Sequence, residues 1–140
     1  MTAPRPRPRF GRALKPFRRP WLWALLWSLA IAVLVVASLL PGADMPEVPG
    51  SDKLHHFLGY ALLAAAAVQL YDRWTSLLGA GLGLVLLGIG LEHAQGALTT
   101  TRIADPADAL ANTLGVIAGL GLRLTPWRDL LLHLERRLPP

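Results

Sequence analysis

Between Trp21 and Leu40 the chain reads WLWALLWSLAIAVLVVASLL, twenty residues without a charge. At about 1.5 Å rise per residue this run covers roughly 30 Å, the hydrocarbon thickness of a bilayer. A secretory signal also follows basic residues, but its apolar stretch is roughly 7–15 residues long. The segment is therefore expected to remain in the protein as a first membrane span. Pro41, Gly42, Pro46, Pro49 and Gly50 mark the loop after it. Leu54–Tyr71, Leu77–Ala97 and Ala107–Leu124 then read as three more apolar helical segments of spanning length.

Composition agrees with that reading. A soluble domain of 140 residues leaves much of its area in water and needs a charged surface, yet this chain is 53% hydrophobic and 16% charged. The absence of cysteine excludes disulfide frameworks, thiolate metal sites and cysteine nucleophiles. No Walker motif or dinucleotide fingerprint is present. The net charge of +5 suggests nucleic acid less than topology, because Arg5, Arg7, Arg9, Arg12, Lys15, Arg18 and Arg19 all precede the first span.

With the N-terminus inside, Arg73, Arg123, Arg128, Arg136 and Arg137 join them, and only Lys53 and Arg102 remain outside. Trp21, Trp23, Trp27, Trp74 and Trp127 fall towards the same inner interface. The expected protein is all-α, an integral membrane four-helix bundle in the bacterial inner membrane with both termini cytoplasmic. Residues 1–20, which mix Arg and Pro, are expected to be a disordered basic tail, 21–124 the membrane domain, and 125–140 a cytoplasmic amphipathic tail. In that tail Leu130, Leu131, Leu134 and Leu138 oppose Arg128, Asp129, Glu135, Arg136 and Arg137, the pattern of a short surface helix.

Once the spans are laid out, the remaining polar residues gather at the outer end. Asp52, Lys53, His55, His56 and Tyr60 open the second span, Glu92, His93 and Gln95 close the third, and Arg102, Asp105, Asp108 and Asn112 lead into the fourth. Helical periodicity aligns Asp52, His56, Gly59 and Leu63, then Gly81, Gly88, Glu92 and Gln95, then Asp108, Asn112, Gly115 and Gly119. Small residues deep on each stripe let membrane helices approach closely, so the stripes are expected to face one another around an outward-opening pocket. Gly79-x-x-x-Gly83 suits either dimerisation or internal packing, and internal packing is the expected use.

An ionisable residue such as Glu92, roughly 6 Å inside its helix end, is costly in lipid and faces a partner or a water-filled cavity. His56, Lys53 and Arg102 are its expected partners. Such a pocket suits an anionic ligand, a divalent metal or proton exchange, and spacing does not choose among them. The residues name no cofactor.

The ordered set Lys53-x-x-His56-Phe57-x-x-Tyr60, Glu92-x-x-Gln95 and Arg102-x-x-Asp105-x-x-Asp108-x-x-x-Asn112-x-x-Gly115 resembles the VanZ-like family of small integral membrane proteins. The likeness runs from about Asp52 to Gly119. It departs at Gly96–Thr101, where an aromatic residue and a Pro-Gly turn are expected and Ala97-Leu98-Thr99-Thr100-Thr101 stands. The resemblance implies a cell-envelope role and a link to teicoplanin (glycopeptide) resistance, without implying a reaction.

Two functions from different classes follow. In the first, Lys53, Tyr60, Gln95, Arg102, Asp105 and Asn112 bind an anionic surface-side ligand, such as a lipid-linked cell-wall precursor or a glycopeptide. In the second, a membrane-embedded hydrolase or transferase uses Glu92, His56 and Asp108 as acid, base or metal ligands. A proton-coupled transporter is disfavoured because no inner-side ionisable pathway matches the outer pocket. Each residue also has a purely structural use: an ion pair for Glu92, helix capping for Asp105 and Asp108, and interhelical hydrogen bonding for Asn112. Lys53 and Arg102 can equally serve to neutralise the carboxylates. His55, His93 and His133 lie off the stripes and are not assigned to the site.

Overall fold

The structure, a computed structural model, describes residues 13–40, 51–98 and 104–139. Helices α1 (Pro20–Leu39), α2 (Ser51–Leu70), α3 (Trp74–Leu98) and α4 (Pro106–Leu120) are followed by two 3₁₀ turns, Gly121–Leu124 and Pro126–Asp129, and by α5 (Leu130–Arg137). The described residues are all-helical, with no strand and one antiparallel bridge between Leu14 and Tyr71.

The tightest packing is between α2 and α4. A Cβ on Gly115 would overlap the carbonyl of Phe57, and one on Gly119 would overlap the carbonyl of Ala61 and stand 2.7 Å from the Ala64 Cβ. Backbone therefore touches backbone along this seam, which only the small residues permit. Helix α3 closes on α4 through Gly81 against Leu120 and Gly88 against Asn112. Tyr60, Leu63, Ala64, Leu84 and Val116 form the core beneath. Two of the three expected stripes are buried throughout: Gly81, Gly88, Glu92 and Gln95, and Asp108, Asn112, Gly115 and Gly119. On α2 the buried line runs instead through Tyr60, Leu63, Ala64, Ala67 and Val68, with Asp52 exposed and Gly59 half-buried.

Helix α1 buries none of its residues and is apolar on every side. It is moored at three polar points: Trp27 Nε1 donates to the Leu63 carbonyl (2.9 Å), Gln95 Nε2 to the Ser38 carbonyl (2.7 Å), and Trp23 Nε1 to Glu135 (2.7 Å). Helices α1 and α3 are long and apolar enough to cross a membrane. Helix α4 is shorter than its expected segment, because the chain tightens into 3₁₀ geometry at Gly121.

Two expectations need correction. The basic tail, expected to be disordered over 1–20, is folded from Ala13 onward, and its first twelve residues lie outside the described residues. Lys15 N–H donates to the Leu70 carbonyl (2.8 Å) and Asp72 N–H to the Ala13 carbonyl (2.9 Å), which lays 13–17 along the end of α2. Phe17 is buried against Leu70 and Leu132. Arg-Pro content describes a segment without partners, and here α5 supplies them. The second correction concerns Gly79 and Gly83, which are exposed with nothing near their would-be Cβ atoms, so the motif does not serve internal packing.

The C-terminal amphipathic helix has its two faces as follows. Leu132 and Glu135 turn inward, while Leu130, Leu134 and Leu138 form an exposed apolar line continued by Trp127 and Leu124.

Candidate functional site

The site lies where the start of α2, the last turns of α3 and the start of α4 meet. Asp105 caps α4, its Oδ1 accepting from Ala107 N–H at 2.9 Å, with Pro106 at the first helical position where its missing donor costs nothing. That cap aims α4 so that Asp108 and Asn112, one turn apart, both face α2. From the first turn of α2, Lys53 Nζ reaches Asp105 Oδ2 (2.8 Å) and Asp108 Oδ1 (3.1 Å). The Lys53 ammonium, helped by the Ala107 N–H, holds the Asp105 carboxyl below the usual carboxylate range.

His56 is central. Its Nδ1 is 3.0 Å from Asn112 Oδ1, an acceptor, so Nδ1 carries the proton and donates. The opposite nitrogen, Nε2, faces Asp52 Oδ1 at 3.7 Å and Asp108 Oδ2 at 4.0 Å. Glu92 is 4% exposed and approaches Nδ1 at 3.8 Å, while its other oxygen accepts a long 3.4 Å bond from Asp105 N–H. Tyr60 lies one turn below His56, buried, against the face of Gly88 and within electrostatic reach of Glu92. Its hydroxyl has no hydrogen-bond partner among the described residues.

Beside this cluster an open groove of about 540 Å³ runs between α1 and α2. Its floor and walls are apolar, with Ala30, Val33, Leu34 and Leu63 among them, and its upper end is polar, with Ser38, Asp52, His55 and His56.

The structure thus gathers Lys53, His56, Tyr60, Glu92, Asp105, Asp108 and Asn112. Gln95 bonds to α1 at Ser38, and Arg102 lies outside the described residues, as do residues 99–101 of the loop that departs from the VanZ-like pattern. The spacing of four between Asp52 and His56 suggests from sequence that Asp52 orients the ring, and the structure places the two side chains 3.7 Å apart. Sequence reasoning set His55 aside, which the groove brings back as a lining residue.

Around the site the described residues place four carboxylates, Asp52, Glu92, Asp105 and Asp108, against Lys53 and a histidine. Lys53 is committed to two of them. Chemically the arrangement favours a cation or a proton at its centre over a bare anion. No protein-family model, curated protein or solved structure matches the chain, so the VanZ-like reading rests on the residues quoted for it.

Proposed function

We propose that this is a VanZ-like envelope protein that crosses the bacterial inner membrane four times with both termini cytoplasmic. Its outer-end site binds the head of an anionic amphiphile, such as a lipid-linked cell-wall precursor, together with a counter-cation held by the carboxylates, and the amphiphile's chain lies in the groove between α1 and α2. A link to glycopeptide resistance would follow from holding such a precursor.

Several observations support the reading. Beyond α1, the outward faces of α2 and α4 are also apolar and exposed, at Leu54, Leu58 and Leu62 and at Leu110, Leu114 and Ile117. A band of this extent is stable against lipid and not against water. Arg18, Arg19, Arg73 and Arg123 lie at the α5 end, and the carboxylate cluster at the other, as the positive-inside pattern requires. The observation that carries the ligand class is the groove itself, which passes from an apolar trough to Asp52, His55 and His56 without interruption. Its lining comes from α1 and α2 alone, so a lipid chain would lie between these two helices.

The enzyme reading draws on the same cluster. Because Asn112 occupies Nδ1, the base would be His56 Nε2, the nitrogen towards Asp52 and Asp108, with Glu92 and Asp108 beside it.

The test is photolabelling in phosphatidylcholine vesicles with a polyprenyl phosphate bearing a diazirine on its chain. Labels should map to the facing sides of α1 and α2, and Ala37→Trp, an exposed groove residue made bulky, should abolish most of them. Labelling that is spread over all lipid-facing helices and indifferent to Ala37→Trp would overturn the proposal.

A further inference from the structure

We propose that Asp52 Oδ1, His56 Nε2 and Asp108 Oδ2 form a binding site for one divalent first-row transition-metal ion. The three donor atoms lie within 4.8 Å of one another and come from two helices, α2 and α4, whose backbones touch at Gly115 and Gly119.

The donor set is chemically coherent. His56 donates its Nδ1 proton to Asn112, which leaves a lone pair on Nε2 aimed towards two carboxylates. Three electron-rich atoms converging in this way need a positive charge among them. The 3.7 and 4.0 Å separations are too long for an N–H···O hydrogen bond, so a proton on Nε2 satisfies neither carboxylate well. An ion about 2.1 Å from each donor sets the donors roughly 3.0–3.5 Å apart, which asks for rotation of the exposed Asp52 carboxylate and a small turn of the Asp108 carboxylate towards His56. One imidazole with two carboxylates suits Mn²⁺, Fe²⁺ or Zn²⁺ better than Ca²⁺, which takes six to eight oxygens.

The surrounding groups match what such sites use. Asn112 fixes the ring orientation and tautomer, as outer partners of metal-bound histidines do. Lys53 holds the second oxygen of Asp108 at 3.1 Å and so presents Oδ2 to the ion. An independent observation comes from Tyr60, whose buried hydroxyl has no partner among the described residues and which lines the same groove as Asp52 and His56. A polar group brought into the groove with the ion, such as a bound water, is the kind of partner that hydroxyl lacks. The ion also answers the charge excess of the site, and offers a phosphate head group the cation that Lys53, already paired, does not. The metal site stands on its own side-chain positions and is independent of what fills the groove.

The full chain, purified in detergent and stripped with a chelator, is titrated with Mn²⁺ by loss of the free-ion electron paramagnetic resonance signal, and with Zn²⁺ against a colorimetric indicator. The expected result is one ion per chain, with nitrogen modulation of the bound Mn²⁺ signal from His56. Asp52→Asn and His56→Gln should each weaken binding by at least about tenfold, and His56→Gln should remove the nitrogen modulation. Asn112→Ala should weaken binding roughly 10- to 100-fold while keeping that modulation, which a positioning role requires. Asp52 is exposed at the start of α2, so its substitution leaves the fold intact and the test decisive. Failure of both ions to bind the wild type at millimolar concentration, or equal binding by Asp52→Asn, would overturn the proposal. Photolabelling of the groove is read separately, with and without chelator.

Discussion

The two ends of the bundle treat buried charge in opposite ways. At the α5 end Lys15, 3% exposed, donates to the Val68 carbonyl at 2.8 Å and to the Arg128 carbonyl, and pairs with Asp129 at 2.9 Å. Glu135, also buried, accepts from Arg18 N–H (2.8 Å), Arg19 N–H (3.2 Å) and Trp23 Nε1 (2.7 Å). Every donor there meets an acceptor at bonding distance. At the opposite end His56 approaches Asp52, Glu92 and Asp108 only at 3.7–4.0 Å, and Tyr60 has a hydroxyl without a partner among the described residues. Saturated geometry is what a structural fastening needs, whereas unsaturated geometry on a close-packed seam leaves room for a ligand. The clasp at the α5 end ties the N-terminal segment, the end of α2 and α5 together, and the His56 cluster is free to be a site.

The sharpest way to break this comparison is to remove one buried charge at the α5 end. Lys15→Met keeps the volume but leaves two carbonyls and Asp129 without their donor, and a loss on the order of 3 kcal/mol is expected. Thermal unfolding in detergent measures it. A change under about 0.5 kcal/mol would mean the clasp is ornamental and that the two ends are not different in kind.

Acid should open the same end by a smaller amount. For Asp129 the Lys15 ammonium is the largest influence, and it holds the carboxyl below its ordinary value. For Glu135 burial alone pushes the carboxyl up, but the Trp23 indole and the Arg18 and Arg19 amides outweigh it and the net direction is down. Both groups are lowered on folding, so their stabilisation is fully present above the usual carboxylate pKa of about 4 and is lost as pH falls through the lower folded values. Trp23 donates to Glu135 and reports the event. Its fluorescence should change below pH about 4, and Lys15→Met should move that change to higher pH. A fluorescence change that Lys15→Met leaves unmoved would break this assignment.

How much of this was legible in the sequence differs between the same two ends. Glycine and polar spacing on α3 and α4 placed Glu92, Gln95, Asp108 and Asn112 on buried faces, because a helix with one small-residue stripe has one way to approach a neighbour. The Asp105 cap was readable from Asp-Pro for the same local reason. The clasp was not readable, since Lys15 and Asp129 are 114 positions apart and nothing in Arg-Pro composition announces a buried lysine. Gly79 and Gly83 misled because periodicity says which residues share a face, not which face is covered. Lys53 turned out to be paired because its anchor, the α4 cap, exists only once α4 docks beside α2.

The smallest expected effect is the most informative about the His56 end. Glu92 accepts one long 3.4 Å bond from Asp105 N–H and reaches His56 only at 3.8 Å, so its charge gains little from its partners while it faces Asp108 and Asp52. Glu92→Gln keeps the shape and removes like-charge repulsion, and its unfolding midpoint should equal or exceed that of the wild type. The comparison with Lys15→Met, a substitution of similar size at the other end, is then direct. If Glu92→Gln instead costs about 2 kcal/mol or more, the carboxylate is the anchor of a structural ion pair with His56, and the cluster around it is a second clasp. If the variant is as stable as expected, the carboxylate persists for what it does to a ligand. Charge that is kept without stabilising the fold belongs to a site.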